Sequence, residues 1–69
     1  MRMNARDVIR LLEADGWREV RSKGSHRQFR HPTKPGKTTV PVHGGRDLRP
    51  DVIRSIERQS GVKLRSELR

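Results

Sequence analysis

Gly24-Ser25-His26-Arg27-Gln28-Phe29-Arg30-His31-Pro32 reads as a turn, a short strand and a stop. Lys23-Gly24-Ser25 supplies the turn, and Pro32 opens a loop that runs through Lys37. From His26 to His31 the residues alternate, and Phe29 is the only strongly apolar one. A strand with one apolar position buries one face and wets the other. With Phe29 toward the core, His26, Gln28 and Arg30 point to the open face.

The rest of the chain fits around this strand. Trp17 to Ser22, with Val20 inside a polar run, predicts a strand with one face in water. Thr38 to His43 predicts another, with Val40 and Val42 on one face and Thr39, Pro41 and His43 on the other. Pro41 cannot donate to a ladder, so this strand is expected at an edge. Toward the N-terminus, Asn4 reads as an N-cap, with Asp7 completing a shortened capping box. Ala5, Val8, Leu11 and Leu12 follow at helical spacing and Gly16 stops them, giving a helix over 4–15. Beyond Gly44-Gly45, the residues Leu48, Val52, Ile53 and Ile56 predict a second helix over 48–59. Pro50 fits its first turn, Asp47 and Asp51 suit its start, Arg58 its end, and Gly61 stops it. The order is α-β-β-β-α, an α+β fold. Three short antiparallel strands cannot bury both faces, so both helices are expected on one face.

The expected core is Val8, Leu11, Leu12, Trp17, Val20, Phe29, Val40, Val42, Leu48, Ile53, Ile56 and Val62. Only 29% of the 69 residues are hydrophobic. A single small domain over 1–62 is expected, with a charged tail over 63–69 anchored by Val62 and Leu64. Such a core supplies about 3–5 kcal/mol of net stability, to which a protein partner would add by mass action.

Lys and Arg number 17 against 8 Asp and Glu, a net charge of +9, and 13 of the 17 are Arg. Arginine offers a planar fork of donors matched to phosphate. The charge therefore points to nucleic acid. No predicted helix pairs a basic face with a broad aromatic one, as a membrane-surface helix would. The absence of cysteine excludes disulfides, zinc–thiolate sites and thiol chemistry. No apolar run approaches a signal peptide or a membrane span, so a cytoplasmic location is expected.

Strand parity gathers candidate chemistry on the open face. A symmetric hairpin about the Pro-rich loop sets His31 opposite Thr38, and hence His26 opposite His43. Histidine exchanges protons near neutral pH. RNA carries its own nucleophile, the 2′-hydroxyl. Its cleavage needs a base for that hydroxyl, an acid for the leaving 5′-oxygen and cations for the phosphorane. Histidine and arginine suffice without a metal, and no cofactor is expected. Asp7, Asp15, Asp47 and Asp51 sit at helix ends, where capping explains them, and form no Mg²⁺-binding cluster. Lys23, Ser25, Arg27, Gln28, Arg30, Arg46 and Arg49 are the candidate RNA contacts.

Plainer roles stand beside these. A strand histidine on a wet face is often only a surface residue. His43, beside Gly44-Gly45, suits a turn or a phosphate contact as well as an acid. His31 before Pro32 reads as structural, Trp17 as core, and Ser25 as a turn residue rather than a nucleophile. Arg46, Arg49, Arg54 and Arg58 can form a solvated face or contact phosphate.

Gly24-Ser25-His26, then Phe29 and His31-Pro32, resemble the hallmark of HicA toxins, also called YcfA-like proteins. The resemblance continues through Val40-Pro41-Val42-His43-Gly44 and Asp51-Val52-Ile53-Arg54-Ser55-Ile56 to Gly61, covering residues 3–62. It implies a fold similar to double-stranded-RNA-binding domains. It implies an mRNA interferase that arrests growth, with its catalytic histidine at His26. It also implies a HicB-type antitoxin as partner, giving a monomer when alone and a hetero-oligomer in the pair. His43 as a second acid or base comes from strand parity, not from the resemblance. The Arg-rich second helix and the tail Lys63 to Arg69 depart from common family members. The competing expectation is a non-catalytic module that reads duplex RNA by shape and backbone.

Overall fold

The computed structural model describes residues 3–65. Five elements follow in the predicted order: α1 (Ala5–Asp15), β1 (Arg18–Lys23), β2 (His26–Arg30), β3 (Thr38–Pro41) and α2 (Pro50–Ser60). The strands form one antiparallel sheet in the order β1-β2-β3. The α+β reading therefore holds.

Both helices are delimited by local chemistry. Asn4 Oδ1 accepts the Asp7 N–H at 2.9 Å, and Asp7 Oδ2 accepts the Asn4 N–H at 3.1 Å. This reciprocal capping box satisfies two N–H groups that the first turn of α1 leaves without partners. Gly16 ends the helix at φ +110°, where its N–H bonds to Leu12 and Glu13 carbonyls. Pro50 starts α2 without a side-chain cap on Arg49, and Gly61 ends it at φ +74°.

The helices pack on the sheet face that carries Phe29, Thr38 and Val40, all fully buried. Met3, Ala5, Val8, Leu12, Trp17, Ile53, Ile56 and Leu64 complete the core. Val42, Leu48, Val62 and Leu11 pack against its margin and are only partly buried. Leu64 is held because Gly61 turns the chain back along α2. The Arg65 N–H and Nε–H then bond to the two Glu57 carboxylate oxygens at 2.8 and 2.7 Å. The first part of the expected tail thus lies on α2, while 66–69 fall outside the described residues.

One core expectation fails. Val20 is 58% exposed. The β1–β2 register runs Lys23↔His26, Ser22↔Arg27, Arg21↔Gln28 and then jumps to Glu19↔Phe29, so Val20 is the extra residue of a β-bulge. The bulge turns it out of the ladder, and Phe29 faces Glu19 instead.

The edge at β3 is closed to further pairing. The Thr39 N–H is taken by Gln59 Oε1 at 2.8 Å, and Pro41 has no N–H to offer. At the other edge, all six residues of β1 are exposed.

Candidate functional site

Residues 24 and 25 form a two-residue loop between Lys23 and His26. Gly24 takes φ +59° while Ser25 does not adopt positive φ, as in a hairpin turn with glycine at its first central position. The loop makes His26 the first residue of β2 and sets it opposite Lys23. Ser25 is half-buried, and its carbonyl accepts the Val42 N–H at 2.6 Å, which ties the turn to the end of β3.

His26 is exposed, and its ring makes no hydrogen bond among the described residues. Gln28 and Arg30 share its parity along β2, as do Thr39 and Pro41 through their pairing. From β1 the same face receives Arg18, Arg21 and Lys23. Glu19 is the only carboxylate in the three strands, and it lies on the opposite parity. The open face therefore has cations and no strand carboxylate to neutralise them.

The expected pairing of His26 with His43 does not occur. The β2–β3 register is displaced by two residues from the symmetric hairpin, so His26 faces Pro41 and Phe29 faces Thr38. The cause is His31. Its Nε2–H donates to the Asp15 carbonyl at 2.7 Å. Its Nδ1 accepts the N–H groups of Thr33 and Lys34 at 3.1 and 3.2 Å. The two backbone donors at Nδ1 assign the proton to Nε2. His31 also stacks edgewise on Trp17, with ring centroids 5.3 Å apart. These ties draw it out of the strand and toward the end of α1. His31 is structural, as its place before Pro32 suggested. His43 lies past the end of β3 and is exposed.

The other candidates are scattered. Arg27 has the parity of Phe29 and approaches Glu19 at 3.6 Å. Arg46 and Arg49 lie in the β3–α2 connection, where Arg49 meets Asp51 at 3.4 Å. Arg30 keeps its place on the open face, with one N–H on the Gly36 carbonyl at 3.3 Å. The Arg18 guanidinium bends to the Glu13 and Trp17 carbonyls at the end of α1. Arg21 joins the open face only through the bulge. No periodic signal finds it, because the bulge that places it is invisible to strict alternation.

The loop beside the site is pinned by Lys34, whose Nζ donates to Asp15 Oδ2 at 2.6 Å and to the Ser60 carbonyl at 3.1 Å. The Lys34 hydrogen bond holds the Asp15 carboxyl below its ordinary value. Glu57 is pulled upward by partial burial. The Arg65 N–H and guanidinium outweigh that pull, and its carboxyl also lies below the ordinary value. Among the described residues, no three His, Asp, Glu or Cys side chains gather closely enough to hold a metal ion. No described helix is long and apolar enough to cross a membrane.

These features define a small cationic α+β protein that carries an exposed histidine among the cations of its open sheet face. The chain belongs to the HicA toxin family: the family model described as the HicA toxin of bacterial toxin–antitoxin matches residues 5–62. No curated protein matches the chain. Family membership makes this the toxin of a toxin–antitoxin pair, with an antitoxin as its partner. The family is known for RNase-type toxins.

Proposed function

We propose that this toxin is an endoribonuclease that cleaves mRNA through His26 and is held inactive by a HicB-type antitoxin. One observation carries the reading. His26 stands exposed, without a partner among the described residues, on a cationic face without a strand carboxylate, and a two-residue turn fixes it opposite Lys23.

The chemistry needs little more. His26 removes the proton of the 2′-hydroxyl, and the resulting oxygen attacks the adjacent phosphorus. The P–O5′ bond breaks, leaving a 2′,3′-cyclic phosphate and a 5′-hydroxyl. Lys23 and Arg30 offset the charge that builds on the phosphorane oxygens, and the Gln28 amide donates to the same phosphate. The 5′-oxygen takes its proton from solvent. General acid–base help of this kind contributes about 10²–10⁴-fold. An antitoxin matched to the toxin presents acidic side chains to this face, covers His26 and is steered there by charge.

Induced expression of the native chain and of His26→Ala, with soluble protein levels matched, tests the reading. The native chain should arrest growth and leave RNA fragments with 2′,3′-cyclic phosphate ends, and the variant should do neither. Arrest of equal strength by both chains overturns it.

A further inference from the structure

The bulge in β1 changes which side chains share the face with His26. Trp17 is fixed in the core. Unbroken alternation from Trp17 would turn Glu19, Arg21 and Lys23 toward the helices and leave Arg18, Val20 and Ser22 on the open face. The extra residue at Val20 reverses that order beyond it. Arg21 now stands opposite Gln28, and Lys23 opposite His26. Neither the Arg21 nor the Lys23 side chain has a hydrogen bond or ion pair among the described residues.

This arrangement has a cost at the surface. Val20 is left in water. Cations are collected on one face without a counter-ion in the strands, where like charges repel. Such a face suits an extended polyanion. Arg21 and Lys23, two residues apart on one strand, are separated by about 6.8 Å. That interval lets them hold neighbouring phosphates of an extended strand. The face offers little to read bases with. Trp17 and Phe29 are the only Trp, Tyr or Phe residues of the chain, and both are completely buried. Stacking on such rings is the usual means of gripping unpaired bases.

We propose that Arg21 and Lys23 form a phosphate track for single-stranded RNA that leads to His26, and that the track reads backbone rather than base sequence. This rests on His26 being the cleaving residue. A single strand is required because its backbone can turn the 2′-oxygen into line with the scissile P–O5′ bond, whereas a duplex holds it away.

The test is equilibrium binding of short 2′-O-methyl homopolymers of U, A and C, which cannot be cleaved, to the full-length protein across a salt series. The three sequences should bind within about threefold of one another. Arg21→Gln and Lys23→Gln should each reduce the slope of log K against log salt by about 0.7, which is about eightfold weaker binding at 50 mM salt. Both losses should be equal for all sequences. Arg10→Gln removes the same charge from α1 and controls for net charge, so it should leave the slope nearly unchanged. Unaltered slopes in Arg21→Gln and Lys23→Gln overturn the track. A preference above about tenfold for one sequence overturns backbone reading. Cleavage separates this proposal from the reading it rests on. A native chain that shows the predicted binding but cleaves no RNA fails as a nuclease while the track stands. A chain that cleaves but binds independently of Arg21 and Lys23 loses only the track.

Discussion

His31 lies so close to Gly16 that a Cβ on Gly16 would stand 2.8 Å from His31 Nε2. The glycine therefore serves twice. It takes the φ +110° that ends α1, and it leaves room for the imidazole that bonds to the Asp15 carbonyl. Gly16→Ala should cost about 2–4 kcal/mol, from backbone strain together with a displaced His31. Chemical denaturation reads this as a lowered midpoint with an unchanged slope. A midpoint equal to that of the native chain would contradict the packing.

The histidines should separate cleanly by role. His31→Ala leaves the Thr33 and Lys34 N–H groups and the Asp15 carbonyl without their ring partner. The expected loss is about 2 kcal/mol, or about 10 °C in Tm for a chain of this size. His26→Ala removes an exposed side chain that makes no hydrogen bond among the described residues and should alter stability by less than about 0.5 kcal/mol. Thermal melts of the two variants distinguish these outcomes directly.

Acid should loosen the loop and the tail together. The Asp15 and Glu57 carboxyls both lie below their ordinary values of 3.8 and 4.5 in the folded chain. The unfolded chain therefore binds more protons in that range, and stability falls as pH drops below those values. Above pH 5 these two groups should leave Tm level. Lys34→Met should flatten the acid limb by removing the side-chain partner of Asp15, and Arg65→Met should flatten it less, because the Arg65 N–H still bonds to Glu57. A limb of unchanged steepness in both variants would contradict the assignment.

Val20 looks like a core residue in the sequence and is not one. Val20→Thr should change stability by less than about 0.5 kcal/mol. The same change at Val40, which is fully buried, should cost well over 1 kcal/mol. Urea midpoints of the two variants decide between the readings.

The fold was legible where local chemistry decides it. Asn4 and Asp7 announced α1, Gly16 and Gly61 announced the helix ends, and the parity of Phe29 and Val40 named the buried face. What could not be read is tertiary. The bulge at Val20 is selected by Trp17 packing into the core while the Gly24-Ser25 turn fixes the far end of the ladder. The displaced β2–β3 register accompanies a His31 that bonds to the end of α1, a contact that no alternation pattern reveals. Met3 and Leu64 entered the core as isolated apolar residues outside any periodic run. The site was half-visible for the same reason. His26, Gln28 and Arg30 follow from one strand's parity, whereas Arg21 depends on the bulge and Arg27 shares the parity of Phe29.

The most direct measurement is the single-turnover rate of single-stranded RNA cleavage by the native chain and by His26→Ala, each confirmed as folded by its melting curve. The variant should lose about 10²–10⁴-fold in rate with an unchanged melt. Equal rates from two equally folded proteins would contradict His26 as the cleaving residue.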